Sequence, residues 1–183
     1  MPALIGALTG FLLSTGAFAA VPAQAEAPAA PVPAYVVTLT GYNAVPAQTD
    51  ANPLVTASGA YSNPEVVAAR SQDLAAEFPF GTIISVEGPA ATSTTCGYGV
   101  VGGTIGYRVI ADTMNKKFTD RMDVLFPTAA TKEQNRAVVL GVCPGVTVRV
   151  VGFVDISNPA NLPKSQADLA AMVVGKDGVA LAK

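Results

Sequence analysis

Apolar and polar positions alternate along this chain in short runs, cut apart by glycine, proline and asparagine. In "RMDVLF" (121–126), Met122, Val124 and Phe126 fall on one side of an extended chain, and Arg121, Asp123 and Leu125 on the other. "YVVTLTGY" (35–42) is rich in β-branched residues and is bounded by Pro33 and the polar "NAVPAQTDANP". "TIISVEG" (82–88) is closed by Gly88-Pro89. "TIGYRVIADT" (104–113) sets Ile105, Tyr107 and Val109 on one face, and "VTVRVVGFVDI" (146–156) follows. Strands of this length between Gly/Pro-rich turns predict a mainly β domain, a small barrel or sandwich. Val37, Leu39, Ile84, Val109, Val124 and Val148 are expected inside. Two short helices are predicted at the periphery. One is "SQDLAAEF", with Ser71 as N-cap and Asp73 in its first turn; the other is "SQADLAAMVV" (165–174), also opened by a serine. No internal repeat of solenoid period occurs.

The ends of the chain read differently. From Ala3, "ALIGALTGFLLSTGAFAAVPAQA" is an apolar run followed by small residues with A-x-A sites at 17–19 and 23–25. That pattern predicts a signal peptide over 1–25 and an exported protein, although no Lys or Arg precedes the apolar run. The alternative is an uncleaved membrane anchor. Residues 26–34, "EAPAAPVPA", form an Ala/Pro linker too poor in apolar bulk to pack. The folded domain is expected over 35–156, with a C-terminal helix and tail over 157–183.

Composition narrows the chemistry. The chain has 183 residues, 50% apolar and 13% charged, enough for one domain with a core. A net charge of −2 gives no basic patch for nucleic acid. There is no histidine, which excludes Ser-His-Asp and Cys-His catalysis and His-ligated zinc. No glycine-rich phosphate or dinucleotide loop is present, and no cofactor or metal is expected. Two cysteines, Cys96 and Cys143, are too few for a metal cage. In an oxidising compartment they most simply pair with each other, and two buried thiols are the alternative.

The carboxylates then matter most. Asp123 lies within a predicted strand, where aspartate is depleted, and Asp112 ends the strand before it, eleven residues earlier. Either could face solvent on a half-exposed sheet. Brought together, they could differ in protonation and serve as an acid and an anion for glycosidic bond cleavage.

Several segments carry a resemblance. "VTLTGYNAVPAQTDANPLVTASG", "FPFGTIISVEG", "IGYRVIADTMNKKFTDRMDVLFPT" and "GVTVRVVG" resemble the three-aspartate (3D) domain. That domain is found in the C-terminal part of membrane-bound lytic transglycosylase A and in small secreted stationary-phase proteins. The resemblance covers roughly 35–152. It rests on a Thr-x-Tyr strand (Thr40, Tyr42), a Pro-x-Gly turn (Pro79, Gly81), and an Asp-Thr pair followed by an Asp in an apolar strand (Asp112, Thr113, Asp123). It implies a six-stranded double-psi β-barrel with short peripheral helices. It also implies cleavage of the MurNAc–GlcNAc bond of peptidoglycan, leaving a 1,6-anhydro end. Asp123 would be the acid and Asp112 the neighbour that tunes it, with Thr40, Tyr42 and Thr113 on the substrate. A monomer acting on glycan strands in the wall or periplasm is the expected setting. Two positions depart from the pattern. Met114-Asn115 replaces the usual glycines after Asp-Thr, and the first family aspartate corresponds to Asp73 or is absent. A non-catalytic wall-binding or structural barrel is the alternative function on the same scaffold.

Overall fold

The computed structural model describes residues 32–89 and 96–173. Six strands close into a barrel: β1 (Ala34–Tyr42), β2 (Val67–Arg70), β3 (Thr82–Glu87), β4 (Arg108–Thr113), β5 (Arg121–Leu125) and β6 (Cys143–Phe153). Around the barrel the order is β1-β5-β2-β4-β3-β6. β1 runs parallel to β5 and β2 parallel to β4, and the remaining neighbours are antiparallel. Among the described residues, three short α-helices lie outside: α1 (Tyr98–Val101), α2 (Arg136–Leu140) and α3 (Gln166–Met172). Among the described residues, no helix is long and apolar enough to cross a membrane. The predicted leader at 1–25 and most of the linker lie outside the described residues.

Alternation decides which side chains fill the barrel. Val36 is 72% exposed, so its neighbours Val37 and Leu39 turn inward. Register carries that assignment around the sheet, since Leu39 lies opposite Met122 and Gly41 opposite Val124 on β5. The interior cluster takes Val37, Leu39, Ala68, Ile84, Ile110, Met122, Val124 and Val148, drawing on every strand. A second cluster lies on the outer face of β5-β2-β4-β3. Val67, Ile83, Val109 and Leu125 meet Ile156 and Leu162 of the following segment and Leu169 of α3 there. Five of the six residues expected inside are therefore inside; Val109 is buried on the other face.

The predicted strand at 104–113 begins later than its sequence suggests. Gly106 takes φ 65°, a left-handed conformation, so extended pairing starts at Arg108. Ile105 consequently packs in the interior cluster while Val109 packs outside, and the two share no face. The helix expected at Ser71 shrinks to one 3₁₀ turn over Gln72–Leu74. Ser71 does not cap it. Its hydroxyl instead accepts from Arg121 N at 3.1 Å, and Asp73 accepts from Asp120 N at 2.9 Å. These partners lie across the fold, so the side chains that would have started a helix tie β2 to β5. The helix opened by Ser165 forms as predicted, with a capping box: Ser165 accepts from Asp168 N, and Asp168 from Ser165 N.

Two devices lock the frame. Cys96 and Cys143 form a disulfide, with Cα atoms 5.2 Å apart, tying the start of α1 to the start of β6. Arg108, 2% exposed, makes no salt bridge with a carboxylate among the described residues. It donates to the carbonyls of Ile105, Pro64 and Leu125 at 2.8, 2.6 and 3.4 Å, and burial pushes its guanidinium down to about 10. Gly81 of the Pro-x-Gly turn has φ 97°, and a Cβ there would collide with the Val154 carbonyl.

Candidate active site

β2 brings the two aspartates together. Its Ala69 pairs with Asp112 of β4 on one side and with Asp123 of β5 on the other. β4 and β5 follow each other in the chain but are not neighbours in the barrel, because β2 runs between them. The carboxylates are therefore aligned across an intervening strand, although they lie on strands that are consecutive in the chain. Two strand spacings of ~4.8 Å separate their backbones by ~10 Å. Ala69, in register with both, adds only a methyl group to the groove between their strands.

β1 supplies a hydroxyl to each aspartate. Thr40 pairs in register with Asp123, and its Oγ1 donates to Asp123 Oδ1 at 3.0 Å. Two residues on, the Tyr42 hydroxyl donates to Asp112 Oδ2 at 2.9 Å. The other oxygen of Asp112 accepts from the backbone N–H groups of Ala57 and Thr113, at 2.9 and 2.8 Å. Asp112 thus holds three donors from three segments. Burial raises the Tyr42 hydroxyl well above its usual range, and the Asp112 charge adds to this, so Tyr42 remains a donor.

Asp123 is raised from 3.8 to about 7. Burial is the largest cause. The hydrogen bond from Thr40 opposes it, the Asp112 charge adds to it, and Arg121 opposes it weakly. Near neutral pH this carboxyl is divided between its acid and its anion, the state a proton donor that must later act as a base requires.

The pair opens into a groove of about 680 Å³. Tyr42, Ala69, Asp112 and Asp123 line it together with Gln48, Asp50, Asn52 and Thr56 of the β1–β2 loop and with Gln72, Thr113, Asn115, Lys117 and Phe118. The rim is rich in amides and hydroxyls, which suits a polyhydroxylated ligand. Among the described residues no group of three or more His, Cys, Asp or Glu could hold a metal ion.

The positions singled out from sequence sort as follows. Asp112, Asp123, Tyr42 and Thr113 line the groove, while the Thr40 hydroxyl is turned to Asp123. Met114, of the unusual Met-Asn pair, is buried in the outer cluster and borders the groove, and Asn115 lines it. Asp73 is exposed and bonded to Asp120 N, with its carboxyl lowered by that bond and by Ser71; it is not part of the groove. Ala57 and Ala69, one through its N–H and one through its smallness, carry no signal in a sequence. No family model, curated protein or solved structure matches this chain.

Proposed function

We propose that this protein is an exported peptidoglycan-cleaving enzyme of the three-aspartate type, built on a double-psi barrel. It would break the MurNAc–GlcNAc glycosidic bond and leave a 1,6-anhydro end. The observation that carries the reading is Asp123: a mostly buried carboxyl with a pKa of about 7, in a groove beside a second carboxylate. A glycosidic oxygen is a poor leaving group until protonated, and Asp123 can give it that proton. As the bond breaks, positive charge grows on the sugar ring, and the carboxylates of the groove stabilise it. The sugar's own 6-hydroxyl then closes on the anomeric carbon, and Asp123, now a carboxylate, takes the hydroxyl proton back. No water is consumed and the acid is regenerated. A disulfide is compatible with work in an oxidising compartment outside the cytoplasm.

The test is incubation of the protein with purified peptidoglycan, followed by mass spectrometry of the soluble fragments. The reading expects fragments ending in anhydro-sugar, formed at a rate that falls as pH rises through about 7 and Asp123 loses its proton. Reducing ends instead would mean hydrolysis. No fragments from any peptidoglycan would leave the barrel as a binding or structural module.

A further inference from the structure

Thr40 does not line the groove, yet its hydroxyl hydrogen-bonds the Asp123 carboxyl, which does. The hydroxyl has one proton and two acceptors in reach, Asp123 Oδ1 at 3.0 Å and the Met122 carbonyl at 3.4 Å. The shorter contact, to the more basic oxygen, takes the proton. Parallel pairing of β1 with β5 places Thr40 opposite Asp123, so the contact is set by backbone register and not by a free rotamer.

We infer that Thr40 is the positioning residue of this acid: by donating to Oδ1 it fixes the carboxyl plane and leaves Oδ2 as the oxygen that gives and takes the proton. The inference rests on Asp123 being the acid of the site. In the forward step the Oδ2–H bond breaks and the proton passes to the leaving oxygen. The negative charge left on the carboxylate is shared with Oδ1, where the Thr40 hydroxyl stabilises it. In the return step Oδ2 accepts a proton and the Thr40 bond weakens again. Tyr42, two residues along the same strand, performs the corresponding service for Asp112, so the Thr-x-Tyr pattern supplies one hydroxyl to each aspartate. The ionisable groups that face Asp123 are Asp112 from β4, Tyr42 from β1 and Arg121 from β5 itself, with Asp50 of the β1–β2 loop and Lys117 of the β4–β5 loop also on the groove, and none of them is altered by substituting Thr40.

The experiment is a pH titration of the Asp123 carboxyl carbon by NMR, with ¹³C-labelled aspartate, in the wild type, Thr40→Val and Thr40→Ser. Asp123→Asn identifies the resonance. Valine keeps the shape and removes the donor; serine keeps the donor. In Thr40→Val the midpoint should rise by about one to two pH units, the worth of one hydrogen bond to a charged group. Thr40→Ser should return it to the wild-type position. A wild-type midpoint in Thr40→Val, or an equal rise in Thr40→Ser, would overturn the assignment. If Thr40→Val does not fold, Thr40→Ser and Thr40→Ala are compared, and serine alone must keep the wild-type midpoint. The titration needs no substrate, so it can fail while the glycan reading stands, or hold while that reading fails.

Discussion

Replacing Asp123 with asparagine should make the protein more stable, and more so at alkaline pH than at acid pH. In the folded chain the carboxyl has a pKa of about 7, against 3.8 for the free side chain. Between those values the folded state binds a proton that the unfolded state has released. Stability therefore falls as pH rises from about 4 to about 7, and the full penalty is present above 7. Three units at 1.36 kcal/mol each make that penalty about 4 kcal/mol. Asparagine is neutral throughout and fits the same space, so the variant escapes it. Urea unfolding of both proteins at pH 4, 6 and 8 is the assay. The difference in unfolding free energy should be smallest at pH 4 and grow by a few kcal/mol towards pH 8. Taking the difference cancels the titrating groups that do not interact with Asp123. A pH-independent difference, or a variant less stable than wild type at pH 8, would refute the burial argument. A gain in stability at the cost of activity is the usual signature of a group kept for its chemistry.

Replacing both cysteines with serine should cost about 4 kcal/mol by the chain-entropy argument, because the bridge closes a loop between residues 47 apart. Urea unfolding under non-reducing conditions checks it, and a loss below about 1 kcal/mol would deny the bridge its structural role. Tyr42→Phe removes the hydroxyl from Asp112, and should cost about 1 kcal/mol of stability and lower kcat more than KM. An unchanged kcat would mean that the backbone donors of Ala57 and Thr113 suffice.

Much of the barrel was legible because its strands advertise themselves. β1, β3, β5 and β6 combine β-branched residues with alternation and end at Gly, Pro or Asn, and sequence placed each within a few residues. β2 was not legible. "VAAR" is short and half alanine, which suggests helix, yet all four residues are buried because β2 is the central strand between β4 and β5. Its alanines are small because both faces are covered and, at Ala69, because two carboxylates flank it. Missing β2 hid the reason Asp112 and Asp123 share a groove. An aspartate inside an apolar strand was visible as an oddity. That it lies across β2 from a second one is a property of non-sequential strand order, which no local pattern encodes. The false helix at Ser71 has the same origin: Ser71 and Asp73 found partners fifty and forty-seven residues away instead of at their own helix end.

The central claim is that Asp123 gives the proton that breaks a glycosidic bond. The most direct measurement compares anhydro-sugar release from purified peptidoglycan by wild type and Asp123→Asn, both at pH 6, with folding verified by circular dichroism. The expected result is release by wild type and none above background from Asp123→Asn, with Asp112→Asn retaining a reduced rate. Full release by Asp123→Asn would contradict the claim.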